Sequence, residues 1–445
     1  MKKQFIPFRE YKEIFSLAIP IIIGNLSQMM LNIIDAMMVG RLGYKELAAS
    51  SLVNNILSIP FVACIGLTTV IAPMVAECRG KNKIRVTGML LFNTKLVVAV
   101  VTFLIILLLL IFRNVVYHLN QDPEVVTLGI PFFKWMCWSI FPMIIFLSVK
   151  QFYDGLERTR LPMILSFLSI GINALLNYIL VFGNFGFPRL ELEGSGMATF
   201  ITRVIIMLVL IIHLFFSGSF AGYGLHFRKI NFYLIQKFLK LSIPSAWQYA
   251  SEVGAFAVLA IIVGWFGAIQ LAAHHVAISI AAFAFMFSMG LSTSASIKVG
   301  EALGKADLSL ARHYGRMIVN IAIVYGILVA MIFIFFRGLI PLAFNENEKV
   351  VFLASQLLLL AAAFQVSDAL QAVGIGLLRG LQDVRVPTVL TTISYWFIGI
   401  PSGYILATYF ELKAFGVWIG FVICLSFMAY FLIRRFYRIT RLKDS

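Results

Sequence analysis

Long apolar stretches alternate with short polar segments along the whole chain. Each stretch contains roughly 20 or more mainly hydrophobic residues, the length that an α-helix needs to cross the hydrocarbon core of a bilayer. The pattern predicts an all-α polytopic membrane protein with twelve membrane-spanning helices. Their expected bounds are 14–39, 48–74, 88–112, 126–149, 162–183, 194–217, 241–266, 272–297, 315–336, 350–377, 387–409 and 414–433.

Composition agrees with the pattern and narrows the functional classes. The chain has 445 residues, of which 61% are hydrophobic and 13% charged, and a soluble fold could not cover so much apolar surface. The four cysteines lack the spacing of a metal site, and neither a nucleotide-binding glycine-rich loop nor a Ser/His/Asp group is recognisable. We therefore expect no enzymatic activity and no cofactor, so that any transport must draw on an ion gradient.

The net charge of +16 reflects membrane topology rather than a nucleic-acid partner. When Lys and Arg are sorted by the predicted spans, 26 fall in segments on the side of the N-terminus and 7 in segments on the opposite side. Cytoplasmic loops carry such an excess of basic residues. Both termini are therefore expected in the cytoplasm, and no nucleic-acid binding is expected.

The sequence repeats itself after about half its length. The motif "LAIP" at 17–20 returns as "LSIP" at 241–244, and "ECRGK" at 77–81 returns as "EALGK" at 301–305, both displaced by 224 positions. Six spans per copy make these parallel repeats, an arrangement found in carriers. The predicted divisions are an N-lobe at 1–217, a cytoplasmic linker at 218–240 and a C-lobe at 241–445. Such lobes suit alternating-access transport, although a duplicated structural bundle or a channel is an alternative.

The first span carries an aspartate within a stripe of polar residues. Asn25, Gln28, Asn32 and Asp35 are spaced by three and four positions, which places them on one helix face. A polar stripe in a membrane helix faces the bundle interior or water, because a carboxylate exposed to lipid is costly. Asn173 and Asn177 share a face of the fifth span and could bind a proton or small cation together with Asp35. They could instead only connect helices by hydrogen bonds.

Two further acids lie near mid-membrane in the second half. Glu252 is about 18 Å from Lys240 and Asp368 is about 16 Å from Arg379, at ~1.5 Å per helical residue. Two carboxylates at one depth without an adjacent basic residue predict a proton site or a Na⁺ site. A permanently protonated pair that holds two helices together is the alternative.

Other polar, aromatic and methionine side chains near these acids are candidates for a substrate cavity. Met29, beside the polar stripe, could supply an adaptable wall. Arg203, within the sixth span, could be a counter-ion, but snorkelling or a structural pairing is favoured. The complete set of cavity candidates is Asn25, Gln28, Met29, Asn32, Gln248, Phe364, Gln365 and Gln371.

Several motifs resemble the multidrug and toxic compound extrusion (MATE) family. They are "IDAMMVGRLGYKELAA", "LNYILVFGNFGFPRLELEGSGMAT", "LAAHHVAISIAAFAF", "SIKVGEALGKAD" and "QVSDALQAVGIGLLRGLQD", and together they extend over nearly the whole chain. The contexts of Glu252 and Asp368 resemble the NorM-like bacterial branch, which often has a tyrosine where this chain has Phe364.

The resemblance implies a V-shaped, two-lobed transporter in the bacterial cytoplasmic membrane. Such a protein exports organic-cation drugs or toxic metabolites in exchange for Na⁺ or H⁺, and a monomer suffices for this cycle. Asp35, Asn173 and Asn177 would form the cation or proton site of the N-lobe, and Glu252 and Asp368 the cation site of the C-lobe. A flippase for lipid-linked precursors is the alternative function, but it would favour a basic cavity rather than acidic groups.

Overall fold

A computed structural model describes residues 8–118, 122–225 and 229–441 of the chain. Every regular element within these ranges is helical. The α-helices are α1 (Phe8–Gly40), α2 (Tyr44–Thr68), α3 (Ile71–Gly80), α4 (Ile84–Ile111), α5 (Pro123–Gly155), α6 (Arg160–Leu180), α7 (Glu191–Phe216), α8 (Phe232–Gly264), α9 (Ala268–Gly304), α10 (Leu308–Phe336), α11 (Glu348–Gly380), α12 (Arg385–Thr392), α13 (Ile400–Thr408) and α14 (Ala414–Ile439).

These helices make twelve segments that are long and apolar enough to cross a membrane, which confirms the predicted number. Helices α2 and α3 together form one segment, Tyr44–Gly80, and α12 and α13 together form another, Arg385–Thr408. Of the basic residues counted for orientation, Lys2, Lys3, Arg228 and Lys443 lie outside the described residues.

The segment between α12 and α13 is a π-helix, Ile393–Gly399. It is followed closely by Pro401, which has no backbone N–H to donate to the preceding turn. A wider turn is one way for a helix to accommodate a proline, and π-helical turns are frequent at functional sites. The π-helix is therefore a candidate functional element of the second half.

Packing divides the described chain into two compact units. The N-unit comprises Ile23–Ala246, and the C-unit comprises the chain up to Ile22 and from Trp247 onward. The two division points are 224 positions apart, the same displacement as the repeat. The predicted lobes at 1–217 and 241–445 follow the repeat along the sequence, whereas these units follow the contacts that the helices make.

The beginning of α1 belongs to the C-unit because its charged side chains find partners there. Glu13 lies 3.6 Å from the Lys298 ammonium, and Glu10 lies 2.6 Å from Nε2 of His313. A side chain on Gly290 of α9 would meet Ile22, so glycine permits a close approach of the two helices.

The beginning of α8 packs in the N-unit in the corresponding way. Lys237 donates to Glu77 at 2.8 Å, and a side chain on Gly66 would meet the backbone of Ala246. Gly66 and Gly290 are themselves 224 positions apart, so the repeat extends to this packing detail. Glu77 also accepts a hydrogen bond from Lys81, which raises the pKa of that ammonium group.

Candidate cation and substrate sites

Asp35 lies on α1 inside the N-unit, where donors from two other helices solvate its carboxylate. Nδ2 of Asn177, on α6, donates to Oδ1 at 2.6 Å, and the Thr199 hydroxyl, on α7, donates to Oδ2 at 3.1 Å. Hydrogen bonds to a charged acceptor are stronger than those between neutral groups. The carboxylate can therefore persist among apolar helices with both of its oxygens bonded.

The two asparagines of α6 form one network with this carboxylate. Nδ2 of Asn177 also donates to Oδ1 of Asn173 at 3.0 Å, and Nδ2 of Asn173 donates to the Thr199 hydroxyl at 3.5 Å. Both asparagines are fully buried. Oδ1 of Asn177 has no hydrogen-bond partner in the described part of the chain. A proton on Asp35 or a small cation would give this oxygen a partner. Asp35, Asn173 and Asn177 therefore lie together, as the sequence predicted, in one hydrogen-bonded network.

A cavity of about 360 Å³ adjoins Asp35 within the N-unit. Its wall combines the carboxylate with amides, hydroxyls and aromatic rings. The polar part of the wall consists of Asn32, Asp35, Ser50, Asn54, Ser58, Ser195 and Arg203, and the larger apolar groups include Phe61, Phe132 and Met136. The volume and the mixture of groups fit a small-molecule site.

The polar stripe of α1 is only partly in this wall. Asn32 lines the cavity beside Asp35, whereas Asn25, Gln28 and Met29, nearer the start of the helix, do not contribute to its lining. Nδ- and Nε-type donors need partners when buried, yet Nε2 of Gln28 has none among the described residues. The stripe therefore continues beyond the cavity as a polar helix face.

Arg203 lies on α7, one turn after Thr199, and belongs to the cavity wall. Its side chain donates to the Ser139 hydroxyl at 2.7 Å, and its guanidinium lies 5.3 Å from the centre of the Phe61 ring. The residue is 8% exposed. The structure thus pairs Arg203 with a neutral hydroxyl and an aromatic ring, in keeping with the structural pairing favoured from sequence, and also gives it an electrostatic interaction with Asp35.

In the C-unit, Glu252 of α8 and Asp368 of α11 lie near enough to interact electrostatically. The hydroxyl of Tyr395, in the π-helix, donates to Oε1 of Glu252 at 3.2 Å. Tyr395 is fully buried, and its ring packs 5.7 Å from that of Phe256. The predicted pair of acids is thus together in the structure, with a phenol as an additional polar neighbour that the sequence reasoning did not include.

Unpartnered amides surround this acidic pair. Gln371 is buried, and neither its Nε2 nor its Oε1 has a hydrogen-bond partner among the described residues; the same holds for Nε2 of Gln365. Buried polar groups without a partner often indicate an absent water or ion. Gln248 is buried on α8, one turn before Glu252. The ring of Phe364 stacks on Trp418 at 5.9 Å, so this aromatic belongs to the packed interior of the C-unit.

The described residues contain no group of three or more His, Cys, Asp or Glu side chains arranged to hold a metal ion. A sodium ion at Glu252 and Asp368 would therefore need further oxygens from amides, hydroxyls or water, as its preference for hard ligands allows. Sodium binding at this pair stays a prediction.

Ser139, Thr199, Tyr395 and most of the cavity wall were not among the site residues predicted from sequence, and Arg203 was considered there only as a possible counter-ion. Thr199 and Arg203 are four positions apart on one helix face, a spacing that is visible in the sequence. Tyr395 precedes Pro401 by six positions, but nothing in the sequence alone directs its hydroxyl towards α8. Their roles depend on which helices are neighbours.

Comparison with known proteins gives a consistent result. The MatE family model matches residues 20–179 and, separately, 244–405, one match in each half and together more than half of the chain. The probable multidrug resistance protein NorM of Mesorhizobium japonicum is 30% identical, with 98% of this chain and 95% of that protein aligned. The multidrug resistance protein NorM of Photobacterium profundum is also 30% identical, over 96% of this chain and 95% of its own length.

A solved structure has the same fold. The crystal structure of the eukaryotic MATE transporter AtDTX14 superposes with a TM-score of 0.87, covering 97% of this chain and 98% of its own, at 23% identity. At that identity the similarity concerns the arrangement of the helices and not the chemistry of the sites.

Proposed function

The chain belongs to the MatE family of membrane transporters, and from this premise we propose that it is a secondary active multidrug exporter that moves organic cations out in exchange for Na⁺ or H⁺ by alternating access. The resemblance noted in the sequence is confirmed at the level of the family. The protein is a multi-pass membrane transporter and not an enzyme. The direction of transport, the coupling ion and the substrate class are part of what we propose.

The observation that carries the proposal is the position of Asp35 in the wall of a cavity. A carboxylate within a membrane helix is costly, and such groups are retained for transport pathways and ion sites. Asp35 has neutral donors on both oxygens, and the cavity beside it is large enough for a small organic molecule. A cation that entered this cavity would gain a carboxylate already oriented towards it.

In the proposal, Glu252 and Asp368 bind the coupling cation. Two neighbouring carboxylates repel each other unless a proton or cation lies between them. The amide oxygen of Gln371, which has no hydrogen-bond partner among the described residues, is a further ligand suited to a small ion. Asp35 and the two asparagines of α6 then hold the exported cation, or a proton exchanged for it.

The membrane placement follows from the charge distribution. We place the transporter in the bacterial cytoplasmic membrane with both termini in the cytoplasm, because the basic residues concentrate on that side. A single copy of the chain contains both acidic sites, so the proposed cycle requires only a monomer.

The proposal is tested by ethidium efflux from proteoliposomes driven separately by an imposed Na⁺ gradient and an imposed pH gradient. The native protein is compared with Asp35→Asn and Asp368→Asn. We expect efflux under at least one gradient, with loss of gradient dependence in Asp368→Asn. Proton-driven efflux that is lost only in Asp35→Asn would move ion coupling to the N-unit. Absence of efflux under both gradients would contradict the exporter and leave the flippase for lipid-linked precursors as the remaining candidate.

A further inference from the structure

Arg203 is a permanently charged group inside a membrane-spanning helix. It is 8% exposed and lines the same cavity as Asp35. A buried arginine in a bilayer is expensive and almost always pairs with a carboxylate or faces a functional cavity. The contacts of Arg203 decide between these two cases.

No carboxylate pairs directly with Arg203 in the described chain. Its one hydrogen bond to another described side chain is to the Ser139 hydroxyl, at 2.7 Å, and its other close contact is with the face of the Phe61 ring. A hydroxyl and an aromatic ring orient the guanidinium but do not neutralise it. The guanidinium has further N–H donors, arranged as a planar fork that matches a carboxylate.

Asp35 is engaged elsewhere. Both of its oxygens accept hydrogen bonds from Asn177 and Thr199, and it interacts with Arg203 electrostatically but without a salt bridge in the described structure. Thr199 and Arg203 lie one helical turn apart on α7, a spacing of ~5–6 Å between neighbouring side chains on a face. A negative and a positive group therefore face one cavity about a turn apart, each held by neutral partners.

A cavity with this arrangement is complementary to a molecule that carries both charges. We propose that Arg203 binds a carboxylate of the transported molecule while Asp35 binds its cationic part, so that the N-unit cavity favours amphoteric substrates, organic cations with a free carboxylate, over simple cations. The inference rests on the proposed export function and specifies its substrate class. Phe61 and Phe132 supply flat apolar walls for an aromatic body between the two charged groups.

The test uses two dyes that differ only at the carboxylate. Tetramethylrhodamine carries a cationic ring system and a free carboxylate, and its methyl ester carries the same ring system without the negative charge. Transport of both is measured in proteoliposomes under the gradient that drives ethidium efflux, with the membrane potential clamped to zero.

We expect the native protein to transport the acid with a higher kcat/KM than the ester. In Arg203→Met, kcat/KM for the acid should fall by about 10- to 100-fold, the range for a lost charged hydrogen bond, while that for the ester stays within about 3-fold. Arg203→Lys keeps the charge but not the fork, so it should retain part of the preference for the acid. Transport of the ester also reports that each variant is folded.

A matched control removes another basic residue of the same unit. Lys95, on α4, lies 5.7 Å from the centre of the Phe215 ring and does not line the cavity. Lys95→Met should leave the ratio between the two dyes unchanged.

Three outcomes would overturn the inference. Equal losses for acid and ester in Arg203→Met would make Arg203 a counter-ion of Asp35 rather than a substrate contact. Unchanged transport of both dyes in Arg203→Met would remove any role in specificity, and a native preference for the ester would reverse the assigned class. In each case ethidium efflux by the native protein would leave the export function standing, whereas absence of all efflux would contradict the export function itself.

Discussion

The two units use one helical frame to hold carboxylates in two different environments. In the N-unit a single acid, Asp35, has a donor from a neighbouring helix on each oxygen and adjoins a cavity. In the C-unit two acids interact electrostatically, and the Tyr395 hydroxyl donates a hydrogen bond to Glu252. A carboxylate with a hydrogen bond on each oxygen can stay ionised in an unoccupied cavity until a large cation binds. Two neighbouring carboxylates instead require a proton or a small cation between them.

The repeat shows how this difference arises. At the displacement of 224, Glu252 corresponds to Gln28, and Asp35 corresponds to Leu259, which is fully buried in the C-unit. The displacement is 225 from "GLERTRLP" at 155–162 to "GLQDVRVP" at 380–387, so that Asn173 and Asn177 correspond to Ile398 and Ser402. The duplicated halves therefore keep their packing while their polar positions differ. The helix packing is therefore common to both halves, and a few differences in polar side chains on α1, α6, α8 and α11 determine which ligand each half can bind.

Glu252→Gln should have the largest effect, because it removes one of the two carboxylates that are proposed to bind the coupling cation. Removing one partner of a buried charge pair, here the carboxylate that faces the coupling cation, costs ~2–5 kcal/mol. Gradient-driven ethidium efflux should therefore fall by at least about 30-fold. Initial efflux rates in proteoliposomes measure it. Asp383→Asn makes the same chemical change in the C-unit at a carboxylate bonded to Arg435, and it should be nearly silent. Equal losses in both variants would mean that Glu252 has no special part in coupling.

Tyr395→Phe should have an intermediate effect. The phenol competes with the coupling cation for Glu252, so its loss leaves a carboxylate that holds the cation more tightly and releases it more slowly. A hydrogen bond to a charged group contributes ~1.5–3 kcal/mol, and the cation concentration for half-maximal efflux should fall by about 10-fold, with a lower maximal rate. Tyr404→Phe is the control, since the Tyr404 hydroxyl bonds no other described residue. A raised half-maximal concentration would show that the phenol helps to bind the cation.

Thr199→Val should have the smallest effect of the three and sharpens the comparison most. Asp35 loses one donor but keeps Asn177, so ethidium binding should tighten by only about 3-fold, less than the change expected for Tyr395→Phe. Fluorescence titration of the purified protein measures it. Thr202→Val on the same helix is the control, because the Thr202 hydroxyl bonds a backbone carbonyl of its own helix at 2.8 Å. If Thr199→Val changed ethidium binding by more than Tyr395→Phe changes the half-maximal cation concentration, Asp35 would depend more on its hydroxyl donor than Glu252 does, which is the opposite of the proposal.

The helices could be predicted from the sequence because their signal is local, and the candidate acids are selected by an equally local signal. Apolar length determines the twelve spans, and the cost of a charge in the bilayer singles out Asp35, Glu252 and Asp368. Amide partners at four-residue spacing also lead to Asn173 and Asn177. These inferences need only one helix at a time.

The remainder of each site depends on contacts between helices far apart in the chain. Thr199 approaches Asp35 from 164 positions away, and Tyr395 approaches Glu252 from 143 positions away. Their hydroxyls are chemically ordinary, so only the neighbouring helix gives them a role. The division at Ile22 and Ala246 is likewise invisible to hydropathy, because it depends on close packing at Gly66 and Gly290.

The central claim, that the N-unit holds the exported cation and the C-unit the coupling ion, is tested most directly by equilibrium binding of ethidium to the purified protein at low salt. The native protein is compared with Asp35→Asn and Asp368→Asn. The account predicts that Asp35→Asn weakens ethidium binding by about 10- to 100-fold, as expected when one partner of a desolvated charge pair is lost, while Asp368→Asn leaves it unchanged. Weakened binding in Asp368→Asn with native affinity in Asp35→Asn would contradict the account.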